Sequence, residues 1–243
     1  MGKKQKHCQP DHPEDRFRGD WWDHVALDPE HRLVVSLVVG PRNGELTRAL
    51  VEDFHRRTQG RVMKLMTSDE NPAYAEAIRA VYGETVQPEP TGRPGRPRAP
   101  YQQVPEDLVY ATVHKVRQNN RVVRVETRLV LGTALLLAVA LLLSLVSRRV
   151  NTVFVERHNG SDRHRNSRKV RKTYRFSKDW EVHRAVSYFT MLSANFCCPV
   201  RTLRVKMGRR RYQQRTPAMT AGLTDHIWSI QEWLCRPCAV QHW

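Results

Sequence analysis

The 243-residue chain predicts an α/β fold, a mixed sheet flanked by helices, on three observations. Apolar runs of strand length alternate with apolar positions at helical spacing. The first half orders these as hairpin, helix, strand, helix. A hydrophobic content of 40% over this length supplies a sizeable core.

The elements follow in order. Residues 1–20 are polar and read as irregular. Asp23–Asp28 and Leu33–Val39 are apolar, and Pro29-Glu30-His31-Arg32 between them has turn chemistry, which predicts an antiparallel hairpin. Leu46, Ala49, Leu50 and Phe54 recur at helical spacing within 44–59, and Gly60 is a stop. Arg61–Ser68 reads as a strand ending at Asp69, and Pro72 suits the first turn of a helix over 72–82. Residues 87–105 hold six of the 14 prolines, which predicts an extended loop. Val109–Val113 and Val122–Leu131 read as a second strand pair, and Thr133–Val146 as an apolar helix. A basic segment around 153–175, a long helix over about 177–196 and an irregular basic tail complete the chain. The expected organisation is 1–86, an insertion over 87–150, and 151–243.

Leu129–Val146 is 18 residues without a charge, the lower limit for a membrane span. Its first part continues a strand bearing Arg124, Glu126 and Arg128, however, and the helical remainder reaches only about 21 Å against a hydrocarbon core of roughly 30 Å. The segment predicts a buried helix, and a membrane partner is not expected.

Charge is unevenly placed. The chain carries 41 basic and 24 acidic groups, and residues 151–243 hold 18 of the former and only six of the latter. That excess predicts a polyanion partner, most simply nucleic acid; a solubilising surface is the plainer reading. Five cysteines, an odd number, argue against a disulfide scaffold. No apolar stretch follows the charged first residues as in a secretory signal, so free thiols in a reducing cytosol are expected.

Two acids stand out. Asp69 ends an apolar strand just before a helix, where ligands of open α/β sheets gather; Ser68 or Asp69 could equally cap that helix. Glu156 follows Val153-Phe154-Val155 and opens a cationic stretch in which six of the ten residues 163–172 are Arg or Lys. It reads as an ion-pair partner, or as a ligand to a hard cation held where phosphates arrive. On a helix it shares a face with Asn159 and Arg163.

Several segments resemble the DDE transposases of bacterial insertion sequences, of the insertion-sequence-1 type. They are Gly19–Asp28, Thr67–Tyr74, Asn151–Asn159 with Phe154-Val155-Glu156-Arg157-His158-Asn159, Arg171–Lys178 and Thr216–His226, and the likeness runs over roughly 1–234. The resemblance implies an RNase H-like mixed sheet and strand cleavage and transfer on double-stranded DNA, at transposon ends and target. It also implies two Mg²⁺ or Mn²⁺ ions held by three acids. Asp69 matches the second acid and Glu156 the third. The first lies in a strand preceding the segment that Gly2-Lys3-Lys4-Gln5-Lys6 matches; here Met1 stands just before Gly2. The resemblance therefore implies an N-terminally truncated and impaired enzyme, through a late start site, a frameshift or decay, lacking also the family's DNA-recognition region. Asp20, Asp23 and Asp28 are the nearby acids, and Asp28, at a second acid of the adjoining strand, is the candidate third metal ligand.

Candidate phosphate contacts are Arg157, Asn159, Arg163, Arg165, Arg168, Lys169, Arg171 and Lys172, with Arg209-Arg210-Arg211 behind them. Gly92-Arg93-Pro94-Gly95-Arg96-Pro97 resembles an AT-hook core, in which Arg93 and Arg96 would reach the minor-groove floor; it also reads as an ordinary Pro-rich loop. Trp21 and Trp22 suit core packing or base stacking. Cys235-Arg236-Pro237-Cys238 has zinc-knuckle spacing without a good second pair, since Cys197 and Cys198 are adjacent. Three functions are open: a DNA strand-transferase, a catalytically inactive DNA-binding remnant that inhibits a full-length copy by mixed oligomerisation, and a membrane-associated basic protein. The first two place the chain in the bacterial cytoplasm at the nucleoid, with a homo-oligomer possible.

Overall fold

The computed structural model describes residues 7–9, 11–88, 99–119, 121–170 and 174–236. They form two compact units, Met1–Pro41 with Phe154–Trp243, and Arg42–Val153.

In the first unit, β1 (Trp21–Asp28) and β2 (Leu33–Pro41) make the expected antiparallel hairpin, with Val25 opposite Leu37. Arg32 closes the turn at φ 57°, a left-handed position. The hairpin packs through Val34, Leu37 and Val39 onto Met191, with Tyr188 and Leu192 alongside. Those three belong to α5 (Trp180–Cys197), capped by Asp179, whose side chain accepts from the Val182 N–H. Asn195 of α5 seals this contact: its Oδ1 accepts from Val34 N at 3.0 Å and its Nδ2 donates to Val34 O at 2.9 Å. Trp21 stacks on Trp180 with ring centroids 5.3 Å apart, the packing role, whereas Trp22 is exposed.

The second unit carries a three-stranded mixed sheet. β3 (Met66–Asp69) runs parallel to β6 (Tyr110–Gln118), which is antiparallel to β7 (Arg121–Leu131). One face is covered by α1 (Gly44–Arg57) and α2 (Pro72–Tyr82) through Val51, Ala77, Ile78 and Tyr82 against Leu108, Tyr110 and Leu131. The other is covered by α3 (Ala134–Leu143) through Leu137 and Leu141 against Ala111, Val113 and Val150. The fold is thus α/β with helices on both faces of a mixed sheet. Two short strands, β4 (Glu84–Val86) and β5 (Tyr101–Gln103), pair antiparallel at either end of the Pro-rich segment.

Three local expectations change. The strand expected from Arg61 is confined to 66–69; Val62 and Leu65 are partly buried against the core clusters instead. The expected buried helix is only half covered. α3 is apolar all round, and Leu137 and Leu141 occupy one side, so Leu135, Val139 and Leu142 form a stripe on the opposite side, with Leu135 73% exposed. The chain enters α3 through Gly132 at φ +88°, where a Cβ would lie 2.8 Å from Leu108 O. No helix among the described residues is long and apolar enough to cross a membrane. The expected irregular tail holds β8 (Val205–Lys206), β9 (Tyr212–Gln213), α6 (Pro217–Thr220) and α7 (Ile230–Cys235), with Thr216 and Ala218 fully buried. Earlier in the chain than α5 come α4 (Val153–Arg165) and a short 3₁₀ turn, Ser167–Lys169.

Candidate functional site

Asp69 is the last residue of β3, at the strand's C-terminal end, and its side chain is 60% exposed. The helix cap that this position could have supplied comes from Asn71, whose side chain accepts from the Ala73 N–H, with Pro72 at the first helical position. Asp69 is therefore free of capping. Ser68 beside it is pinned: its Oγ lies 2.6 Å from the Tyr110 hydroxyl and donates to Asp69 O. Arg42 Nη2 lies 3.7 Å from Asp69 Oδ2. Arg42, Asn43, Gly44, Asp69, Glu70, Asn71, Pro72 and Ala73 line one open cleft.

That cleft receives the N-termini of two helices. Asn43 caps α1 by accepting from Leu46 N at 2.9 Å, and Asn71 caps α2. Helix N-termini carry partial positive charge and unpaired N–H groups. Two largely buried tyrosines stand near Asp69. Burial, together with the Asp69 carboxylate and Tyr110, pushes the Tyr74 hydroxyl up to about 12, Arg42 opposing. Tyr110 is raised chiefly by burial, against its Ser68 hydrogen bond. Glu70, next to Asp69 at the end of β3, is tied to the two neighbouring strands: it pairs with His114 of β6, and with Arg128 of β7 at 2.9 Å.

In the other unit, Glu156 stands exposed in the first turn of α4, where Asn151 accepts from Val153 N at 3.2 Å. A carboxylate in that turn is favoured by the helix dipole. Arg32 of the hairpin turn lies over the neighbouring Phe154, 4.1 Å from the ring centroid. Burial lowers the Arg32 guanidinium's affinity for its proton, Arg157 adds to this, and Asp28 opposes it. Asp28, Arg32 and the start of α4 thus share one electrostatic neighbourhood. Asp28 itself is engaged in its own turn: Oδ1 accepts from Glu30 N at 2.8 Å, and Oδ2 is 2.6 Å from His31 Nδ1.

The basic residues divide. Arg157, Arg163, Arg165 and Arg168 are exposed, and Asn159 is half-buried. Lys169 differs, because its side chain is only 8% exposed and its Nζ sits 2.9 Å from Asp23 Oδ2 and 2.6 Å from Asp162 Oδ2. An ammonium held by two carboxylates is part of the scaffold, since burial makes that pairing obligatory. His183 completes this cluster, with Nδ1 3.1 Å from Ser177 Oγ and Nε2 3.8 Å from Asp23 Oδ1. Arg171, Lys172, Arg93, Arg96 and Cys238 lie outside the described residues.

Sequence reasoning missed Arg42 and Arg32. Each sits in a connector, where position relative to the acid is set by the turn and not by periodicity; the Asn43 and Asn71 caps were the signal available for the Asp69 cleft. Among the described residues, no group of three or more His, Cys, Asp or Glu side chains stands together to hold a metal ion. No protein-family model, no curated protein and no solved structure matches the chain.

Proposed function

We propose that the chain is a DDE-type transposase polypeptide that binds double-stranded DNA and acts on it with Mg²⁺ or Mn²⁺, which would place it at the bacterial nucleoid. The observation that carries this reading is the Asp69 cleft: an exposed carboxylate at a strand's C-terminal end, rimmed by Arg42 and two capped helix N-termini. Helix N-termini and a guanidinium suit phosphate oxygens. A carboxylate among them suits a hydrated hard cation, which takes one or two carboxylates and completes its shell with water and phosphate. Asp69 fits as one such ligand, and the family resemblance assigns Glu156 as another. Bound there, the ion supplies charge stabilisation for attack on a phosphodiester. Arg42 holds the carboxylate's neighbourhood cationic, and Arg157, Arg163, Arg165 and Arg168 position the duplex backbone.

A second reading, DNA binding without catalysis, is favoured by Asp28. Both of its carboxylate oxygens are held within the hairpin turn, by the Glu30 N–H and by His31, so this candidate third metal ligand is already engaged.

A Mg²⁺-dependent nicking assay on supercoiled DNA separates the readings. Asp69→Ala and Glu156→Ala each lose more than about a hundredfold of the activity, since replacing even a residue that only hydrogen-bonds to a metal's ligand costs about 10–100-fold. Nicking undiminished in both variants removes these residues from any catalytic role. Salt-sensitive binding with no nicking by the unsubstituted chain selects the second reading.

A further inference from the structure

β7 is an edge strand of eleven residues, paired along one side with β6 and with no strand on its other side among the described residues. Residues opposite one another across the ladder share a face. Arg124, Glu126 and Arg128 therefore lie with Val116, His114 and Thr112, while Val125, Thr127 and Leu129 lie with Lys115, Val113 and Ala111. The first face is a ladder of alternating charge, with Arg124 3.1 Å and Arg128 3.9 Å from Glu126. The second is largely apolar, and Val125 and Leu129 on it are exposed. It is the face that α3 partly covers through Ala111 and Val113. A long edge with exposed apolar residues is a template for further pairing, and this one complements itself.

We propose that β7 pairs antiparallel with β7 of a second copy about a twofold axis at Thr127, joining two three-stranded sheets into one. In that register Glu126 of each copy faces Arg128 of the other, and Val125 faces Leu129. Both faces are then matched over the central pairs, opposite charges on one and apolar side chains on the other, while Arg124 meets Val130 further out. Neighbouring registers do worse. Centring on Glu126 sets it against its own copy and Arg124 against Arg128, like charges directly opposed. Centring on Val125 keeps an Arg124–Glu126 match but sets Leu129 against Arg121. A twofold axis normal to the sheet also keeps the apolar faces of both strands on one side, as a self-complementary isologous contact requires. This charge complementarity selects a second copy over an unrelated strand, and the pairing needs neither DNA nor metal.

Two experiments test it. Sedimentation velocity of the unsubstituted chain from nanomolar to high micromolar concentration shows a monomer passing to a dimer, and Glu126→Lys weakens that dimer about tenfold by turning two attractive contacts into repulsions. Under mild oxidation Thr127→Cys forms a disulfide dimer beyond the background of the native cysteines, because facing Cβ atoms stand about 4.5–5.5 Å apart. Val125→Cys alone does not, and Val125→Cys with Leu129→Cys does. A chain monomeric throughout the concentration range overturns the proposal, whether or not the cysteine variants fold. So does a dimer that cross-links through Val125→Cys but not through Thr127→Cys.

Discussion

Lys169 Nζ lies 2.6 Å from Asp162 Oδ2, with both side chains more than nine-tenths buried. Asp23 takes a second contact from the same ammonium at 2.9 Å. The lysine thus ties the turn after α4 to the first strand of the hairpin. Breaking a buried ion pair by removing one partner leaves an uncompensated charge and costs about 3–5 kcal/mol. Lys169→Ala is therefore expected to lower the denaturation midpoint sharply, whereas Arg163→Ala, six positions earlier on the exposed face, leaves it nearly unchanged. Equal effects in a urea titration would show that Lys169 belongs with the surface cations.

The same cluster makes the fold sensitive to acid. Burial lowers the proton affinity of His158, against Asp162 and with Arg165 and Lys169 adding to the shift. Burial also lowers that of His183, with Asp23 opposing. An imidazole held neutral in this way binds its proton less readily folded than unfolded. The stability it lends is complete above about pH 6.5, the unfolded value, and is lost as the pH falls below that value. Urea midpoints measured between pH 7.5 and 5 should fall with acidity, and His158→Asn should flatten the slope. A profile unchanged by that substitution would place the titration elsewhere.

Asn195 and Val34, 161 positions apart, exchange two hydrogen bonds that fasten the hairpin to α5. Asn195→Ala leaves a buried peptide group without partners, at a cost of about 1–3 kcal/mol. Thermal unfolding reads it directly, and a melting temperature equal to that of the unsubstituted chain would contradict it.

DNA binding should be strongly salt-dependent. With six phosphates neutralised, the slope of log affinity against log salt is about −5. Each of Arg157→Ala, Arg163→Ala, Arg165→Ala and Arg168→Ala should reduce that slope by about 1. Fluorescence anisotropy over a salt series measures it, and a flat dependence removes the nucleic-acid reading of the basic half.

These outcomes show what a sequence discloses. The hairpin and α2 were legible because their signals are local: Pro29–Arg32 makes a turn, and Asn71-Pro72 starts a helix wherever the rest of the chain lies. The end of β3 at Asp69 was legible for the same reason. Lys169 was not, because in a run of six cations nothing local says which one turns inward; Asp23, far away in sequence, decides it. The exposed stripe of α3 was hidden likewise. The apolar run Ala134–Leu143 specifies a helix, but how much of it the sheet can cover depends on partners that periodicity does not describe. Arg42 and Arg32 matter through position alone, beside an acid and over a ring, which composition does not encode.

The proposed function has Asp69 and Glu156 hold the same divalent ions over a bound duplex. Substituting Fe²⁺ for Mg²⁺ in the DNA-bound protein and adding ascorbate and peroxide generates hydroxyl radicals at the metal, which cut the nearby polypeptide. Two cuts are expected, one beside Asp69 and one beside Glu156, suppressed by excess Mg²⁺ and lost together in Asp69→Ala or in Glu156→Ala. Cutting beside one residue that persists when the other is replaced would contradict it.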